Sequence, residues 1–188
     1  MDAGLANRTR GPVKMGRVVV ALSTARGLIL LAGVGSALLL LTAFGFQYIG
    51  GLAPCAMCLW QRWPHVAAVL LSAIGAAIPS AWVALAGAGT MLANAGISLY
   101  HTGVERDWWE GPTTCTGGLD LTKMSIEDLL NPNIGSGIVM CDQVAWEMFG
   151  LSMASWNGVA CLVLAGVWAA AARGRRDAPD KAVAQDFS

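Results

Sequence analysis

Two long stretches of this chain contain no charged residue, and this feature most constrains what the chain can fold into. Residues 27–61 and residues 63–104 lack Lys, Arg, Asp and Glu altogether, and only Arg62 separates them. Hydrophobic residues make up 55% of the sequence and charged residues only 13%, and the mean hydropathy is +0.56. A soluble globular domain has about 25% charged residues. The chain is therefore predicted to be a membrane protein.

The lengths of the uncharged stretches predict how many times the chain crosses the membrane. A hydrocarbon core of about 30 Å takes about 20 helical residues, whereas residues 63–104 would measure roughly 60 Å as one helix. The Pro79-Ser80 pair lies within this stretch, where a turn would give two spans. A cleaved signal peptide is the alternative for the first span, but the apolar run is longer than usual and no convincing cleavage site follows. The prediction is an all-α bundle of four transmembrane helices, at about 27–47, 59–78, 82–101 and 151–172.

The distribution of charge predicts the orientation of this bundle. Nine of the twelve basic residues lie in the two tails, residues 1–26 and 173–188. By the positive-inside rule both tails are cytoplasmic, which requires an even number of crossings. Eight of the twelve acidic residues lie within residues 102–150, which are therefore predicted to form a long outer loop between helices 3 and 4. The short loop 48–58 then lies on the same outer face, and residues 27–172 form a single membrane domain.

Four of the five cysteines fall in these two outer loops. Cys55 and Cys58 form a Cys-Ala-Met-Cys motif just before the second predicted span, and Cys115 and Cys141 lie in the long loop. Two thiol pairs that face one compartment suggest that electrons pass from one pair to the other. Cys161 lies within the fourth predicted span, where we expect it to be inert packing.

The Cys-x-x-Cys motif at the start of a helix has the chemistry of a reactive thiol site. Unpaired backbone N–H groups and the positive end of the helix dipole lower the pKa of a nearby thiol and favour the thiolate. Arg62 lies four residues after Cys58 and shares its helix face, so it can stabilise a thiolate or an anionic reduced ring on a bound acceptor. Snorkelling of Arg62 to lipid phosphates is the alternative. His65 lies on the same helix face one turn deeper in the membrane. At such a position a histidine whose hydrogen bonds are satisfied is more common than one with a functional role.

Two other interpretations of the four cysteines are a zinc site and purely structural disulfides. Structural zinc takes four ligands in compact pairs, whereas Cys115 and Cys141 have 25 residues between them, so no metal is expected. Structural disulfides fit the oxidising outer face of a bacterial inner membrane, where a Cys115 to Cys141 bond would close a long loop. A Cys-x-x-Cys ring adds little loop-closure stabilisation, so this motif beside Arg62 favours redox chemistry.

These residues, taken in order, resemble a known family. The pattern contains Phe46-Gln47, the Cys-x-x-Cys motif with Arg62 after it, two loop cysteines, and Gly150-Leu-Ser-Met153 followed by Trp156. It resembles DsbB, the bacterial disulfide bond formation protein B family, over roughly residues 28–172. The resemblance implies a quinone-dependent protein-dithiol oxidoreductase of the inner membrane, with cytoplasmic termini and periplasmic cysteines. Such a protein takes electrons from a reduced DsbA-like thioredoxin-fold partner and gives them to ubiquinone or menaquinone, which supports disulfide bond formation.

The resemblance also implies a role for each cysteine. The thiolate of the DsbA-like partner attacks Cys115 to form a mixed disulfide, and Cys141 is released. Cys141 then attacks Cys55, and Cys58 becomes the thiolate that faces the quinone, with Arg62 stabilising the charge. The other candidate quinone contacts are His65, His101, Met153 and Trp156.

Two alternatives to this function remain open at the level of sequence. A related quinone-linked thiol oxidoreductase, similar to DsbB or to vitamin K epoxide reductase, would serve another thioredoxin-fold partner. A membrane scaffold with structural disulfides would show no turnover. Within the long loop, residues 125–130 match a capping box and predict a short helix along the membrane surface.

Overall fold

Four long helices and one short antiparallel hairpin form the described part of the chain. A computed structural model describes residues 24–112 and 140–185, with side chains as far as residue 174. Cys115 and the predicted surface helix at residues 125–130 lie outside the described residues. In chain order the elements are α1 (Ala25–Tyr48), α2 (Ala56–Ala77), α3 (Ala81–Glu105), β1 (Glu147–Met148), β2 (Leu151–Ser152) and α4 (Met153–Gln185).

The first three helices each begin at a side chain that accepts a hydrogen bond from the first turn. Thr24 Oγ1 accepts from the Gly27 N–H of α1 at 3.1 Å, and Ser80 Oγ accepts from the Trp82 N–H of α3 at 3.2 Å. The sulfur of Cys55 takes the same place at the start of α2. Such caps satisfy N–H groups that have no partner within the helix, so each helix has a defined first residue.

Three of the helices are long and apolar enough to cross a membrane, namely Ala25–Tyr48, Ala81–Glu105 and Met153–Gly174. Helix α2 has 22 residues and measures about 33 Å, a sufficient length. Its composition is less apolar because it carries Gln61, Arg62 and His65. The prediction of an all-helical membrane protein is confirmed in outline, while the fourth span stays a prediction. The small hairpin was not predicted.

The bundle buries several polar side chains beside its apolar core and exposes large apolar side chains, as expected of a protein surrounded by lipid. Leu41, Leu70 and Leu162 each have more than half of their surface exposed. The buried polar residues include Ser36, Gln61, His65, Ser72, Asn94, Ser98 and His101. Hydrophobic side chains gain nothing by leaving lipid, so packing of small residues and hydrogen bonds between helices hold such a bundle together. This distribution supports the membrane prediction independently of length.

The helices pack in a ring in which α1 contacts α2, α2 contacts α3, α3 contacts α4, and α4 returns to α1. The most extensive contact is between α3 and α4. There the fully buried ring of Trp168 lies against Gly87, and a Cβ atom at position 87 would fall 2.4 Å from that ring. Only glycine permits this approach of the two helices.

Replacing Gly87 by alanine is therefore expected to destabilise the bundle by about 1–3 kcal/mol, because the added methyl group overpacks the interface with Trp168. Gly89 lies one half-turn away in the same helix, where a Cβ atom would meet nothing within 4 Å. Gly89→Ala is the matched control and should be neutral or slightly stabilising. Thermal unfolding in detergent measures both variants. Equal midpoints for the two variants would contradict the packing argument.

The hairpin before α4 is fastened to the end of α3. Phe149 and Gly150 connect β1 and β2 with φ values of 55° and 73°, the left-handed backbone that a two-residue hairpin turn requires. Arg106 Nη2 donates to the Gly150 carbonyl at 2.7 Å, and Ser152 Oγ donates to the Glu105 carboxylate. These bonds position the first turn of α4 beside the outer ends of the other helices.

Candidate redox site

Cys55 and Cys58 lie together where α2 begins. Cys55 is the N-cap, and its sulfur accepts a hydrogen bond from the Cys58 N–H at 3.2 Å. The two sulfur atoms are 2.8 Å apart, and both residues are free thiols. Both precede Leu59, where the predicted span begins. A thiol pair at this spacing on a helix N-terminus has the geometry of a redox-active Cys-x-x-Cys site.

The two thiols differ in acidity. The hydrogen bond that the Cys55 thiol donates to Cys58 raises the pKa of Cys55, and burial raises it further. The same hydrogen bond lowers the pKa of Cys58, and the Arg62 charge contributes in the same direction. Cys58 is therefore the more acidic thiol of the pair and the one that ionises first.

This difference predicts the order in which the reduced protein reacts with iodoacetamide as the pH rises. A thiol with a lowered pKa deprotonates at a lower pH, so Cys58 should be alkylated at a lower pH than Cys55. Mass spectrometry of the peptide at each pH measures the order. In Cys55→Ala, which removes the hydrogen-bond donor, alkylation of Cys58 should move to higher pH. An unchanged pH profile in this variant would refute the assigned cause.

A cavity of about 330 Å³ opens beside Cys58, between α1, α2 and the start of α4. Its walls are mainly apolar, and the aromatic residues Phe46, Trp146 and Trp156 contribute to them. Five of the predicted site residues line the cavity, namely Cys58, Arg62, His65, Met153 and Trp156. Gln61 and Asn157 also line it and were not predicted. The cavity can accept a flat apolar ring with a polar group at its edge.

Arg62 is held in place at this cavity by two contacts with α1. Its Nη1 donates to Gln47 Oε1 at 2.7 Å, and its guanidinium carbon lies 4.9 Å from the centre of the Phe44 ring. A hydrogen bond and a cation–π contact together fix the orientation of a half-buried guanidinium. The positive charge thereby stays beside Cys58 and the cavity.

His101 lies behind the thiol pair and is not a lining residue of the cavity. Its Nε2 is 3.5 Å from the Cys55 sulfur and 3.9 Å from Glu105 Oε1, and its Nδ1 is 2.8 Å from Gln61 Nε2. It is only 2% exposed. The structure therefore brings His101 to the thiol pair, although the residue does not line the cavity.

Cys141 is brought to the same place. It is disulfide-bonded and fully buried, and it packs in one apolar cluster with Cys55, Met57 and Val104. Its backbone also forms a hydrogen bond with His101. A disulfide beside the Cys-x-x-Cys pair is the arrangement that thiol exchange between the two loops needs.

The three ligand atoms of Cys55, Cys58 and His101 lie within 4.8 Å of one another, the kind of group that can hold a thiophilic metal ion. A structural zinc site has four protein ligands. Among the described residues this group offers three, and two of them are the thiols of the redox motif.

The sequence did not predict a set of amide and carboxyl side chains, half-buried or buried, that join the helices around the site. Gln47, Gln61 and Asn157 form hydrogen bonds with the predicted site residues, and Glu105 accepts one from Ser152, which precedes Met153. The available signal was the presence of polar side chains inside apolar helices, which mark functional positions in a membrane.

Known proteins match this chain over most of its length. The family model described as disulfide bond formation protein DsbB matches residues 25–171. The disulfide bond formation protein B of Methylococcus capsulatus is 36% identical over 143 residues, which cover 72% of this chain and 86% of the relative. Its counterpart from Verminephrobacter eiseniae is 29% identical over 170 residues, with coverage of 86% and 94%. No solved structure matches the chain.

Proposed function

Because this chain belongs to the DsbB family, disulfide bond formation protein B, we propose that it reoxidises a periplasmic DsbA-like thiol oxidase and passes the electrons to membrane quinone. The family makes it a disulfide-generating oxidoreductase of the membrane. One observation carries the proposal: the Cys58 thiol and the Arg62 charge line one apolar cavity, while the disulfide-bonded Cys141 packs against Cys55 on the other side.

The cysteines divide the reaction into two exchanges. The partner thiolate attacks Cys115, which forms a mixed disulfide and releases Cys141 as a thiolate. The second partner thiol resolves that bond, so the partner dissociates in its oxidised form and Cys115 remains as a reduced thiol. Cys141 attacks Cys55 of the Cys55 to Cys58 disulfide, which releases Cys58 as a thiolate. Cys115 then attacks Cys141, which restores the loop disulfide and leaves Cys55 and Cys58 reduced.

The cavity fits a quinone ring and its polar oxygens. Aromatic and aliphatic side chains form its walls, and Arg62, Gln61 and His65 supply polar atoms within it. When bound, the quinone would accept two electrons and two protons, and the Cys55 to Cys58 disulfide would re-form. Arg62 holds positive charge beside the Cys58 thiolate, and Cys55 keeps its proton until the thiolate is consumed. A DsbA-like partner has a potential of about −120 mV, so an oxidising acceptor of this kind is required.

The proposal includes the orientation of the chain. Four spans with cytoplasmic tails, residues 1–26 and 173–188, leave the loops 48–58 and 102–150 in the periplasm. Three apolar helices and the charge bias of the tails support this arrangement. Both thiol pairs then meet the oxidising compartment, where a DsbA-like partner is found.

The decisive experiment is quinone-dependent oxidation of a reduced DsbA-like protein by the purified chain. We expect repeated turnover with ubiquinone-1 or a short menaquinone, which is measured as loss of quinone absorbance. The quinone that supports the faster turnover identifies the physiological acceptor class. Without quinone, oxidation should stop after the disulfides of the protein are used. A reduced partner whose second cysteine is replaced by serine cannot resolve the mixed disulfide, so it should accumulate in a mixed disulfide with Cys115, with Cys141 released as the thiolate. If every cysteine stayed oxidised throughout exposure to the reduced partner, the protein would be a scaffold.

A further inference from the structure

His65 is a cavity-lining residue in which one ring nitrogen is hydrogen-bonded and the other, among the described residues, is not. It is 3% exposed and lies three residues after Arg62 on α2. Its Nε2 is 2.9 Å from Asn157 Oδ1, a contact from α2 to α4. Among the described residues, its buried Nδ1 has no hydrogen-bond partner. A buried polar atom of this kind at the wall of a cavity indicates a ligand atom that would satisfy it.

Asn157 determines which nitrogen of His65 carries the proton. Its Nδ2 donates to Gln61 Oε1 at 3.1 Å and to Ser98 Oγ at 2.9 Å, so both amide hydrogens are used. Its Oδ1 can only accept. His65 Nε2 must therefore be the donor of the bond to Asn157, and in the neutral ring Nδ1 is then a lone-pair acceptor.

The same direction continues to the other end of the network. Gln61 Oε1 accepts from Asn157, so Gln61 Nε2 donates to His101 Nδ1 at 2.8 Å. The opposite nitrogen of His101 then carries a proton, which faces the Cys55 sulfur at 3.5 Å and the Glu105 carboxylate at 3.9 Å. The hydrogen bonds therefore run in one direction, from His65 through Asn157 and Gln61 to His101.

We propose that His65 Nδ1 accepts a hydrogen bond from a hydroxyl group of the reduced quinone, so that the cavity binds quinol more tightly than quinone. The inference rests on the proposed function, because it takes a quinone to be the occupant of this cavity. Quinone oxygens only accept hydrogen bonds, whereas quinol oxygens donate them. An acceptor at Nδ1 therefore distinguishes the two forms.

Preferential binding of quinol bears on the direction of electron flow. A site that binds the reduced form tenfold more tightly makes the bound couple more oxidising by about 30 mV for two electrons. The buried network would thereby assist the transfer of electrons from a partner that is itself a strong oxidant. Asn157, Gln61 and His101 act on Nδ1 as positioning residues, since their hydrogen bonds fix the proton of His65 on Nε2.

Two substitutions of His65 separate the two ring nitrogens. In His65→Gln the side-chain amide replaces Nε2 and can still bond to Asn157, but nothing replaces Nδ1. In His65→Asn the carbonyl oxygen takes the place of Nδ1, and the bond to Asn157 is lost. The two variants are similar in polarity, so each is the matched control for the other.

The test measures binding of ubiquinone-1 and of ubiquinol-1 to the purified full chain in detergent, by quenching of tryptophan fluorescence. Trp146 and Trp156 line the cavity, so an occupant changes their emission. We expect wild type to bind the quinol about tenfold more tightly than the quinone. A tenfold difference in Kd corresponds to the usual contribution of one neutral hydrogen bond. This ratio should fall to about one in His65→Gln and stay above one in His65→Asn.

The outcomes separate this inference from the function on which it rests. Equal binding of both forms by wild type, or a wild-type ratio in His65→Gln, would overturn the inference while quinone-dependent turnover still supported the function. A preference lost equally in both variants would also overturn it, since the orientation of His65 and not Nδ1 would then be responsible. Binding of neither form would remove the cavity as the quinone site and overturn both.

Discussion

Replacing Cys58 by serine will lower quinone-dependent turnover by about three orders of magnitude or more, the scale of loss seen when an attacking group is removed from an enzyme. Cys58 is the thiol with the lowered pKa and the one cysteine of the pair that lines the cavity. A serine hydroxyl does not ionise at neutral pH and cannot re-form the Cys55 to Cys58 disulfide. The measurement is steady-state loss of quinone absorbance with excess reduced DsbA-like partner.

The same variant should still react with the partner at the loop disulfide. Rapid acid quenching and thiol labelling should reveal the mixed disulfide at Cys115 with wild-type kinetics in a single turnover. Cys161→Ser is the matched control because Cys161 is a free, fully buried cysteine away from the thiol pair. It should retain turnover within about twofold. Appreciable multiple turnover by Cys58→Ser would exclude Cys58 as the quinone-side thiol.

Removing the charge of Arg62 has the second large expected effect. In Arg62→Gln we expect the KM for quinone to rise about 10- to 100-fold, which corresponds to about 1.4–2.8 kcal/mol. The cavity loses the cation that stabilises the Cys58 thiolate and a reduced ring beside it. Arg62→Lys keeps the charge but loses the planar contact with Phe44 and the fixed bond to Gln47. Its KM for quinone should therefore lie between that of wild type and that of Arg62→Gln.

Initial-rate kinetics at varied quinone and varied partner distinguish this role from a general loss of stability. The KM for the partner and the rate of mixed-disulfide formation at Cys115 should stay unchanged, because Arg62 is near the cavity and not the loop disulfide. Arg26→Gln is the control for charge removal, since Arg26 is exposed at the opposite end of α1. Unchanged quinone dependence in Arg62→Gln would remove Arg62 from the mechanism.

Local features of the sequence were enough to predict the helices and the thiol motif. Uncharged stretches interrupted at Pro79-Ser80 predict long helices, because backbone in lipid must satisfy its own hydrogen bonds. The spacing of Cys58 and Arg62 predicts a shared helix face, and both residues line one cavity. These inferences use interactions within a few residues or with the surrounding solvent, which a single sequence records directly.

Contacts between distant segments could not be predicted in the same way. The role of His101 as a quinone contact stays a prediction, and its position beside Cys55 and its hydrogen bond with Gln61 were not predicted. Asn157 received no prediction, although it joins His65, Gln61 and Ser98. Helical periodicity gives the face of a residue but not which neighbouring helix that face meets.

The sequence by itself determined that this chain is a helical membrane protein with a charge on the helix face of its Cys-x-x-Cys motif, and it predicts that both thiol pairs face one compartment. Composition, length and charge bias suffice for this because the bilayer restricts the available structures so strongly. Only the tertiary structure decided that the Cys141 disulfide packs against Cys55, and that a chain of hydrogen bonds leaves Nδ1 of the cavity-lining His65 as a buried acceptor without a partner among the described residues. Those features depend on how α2, α3 and α4 pack together, and packing joins residues as far as 96 positions apart.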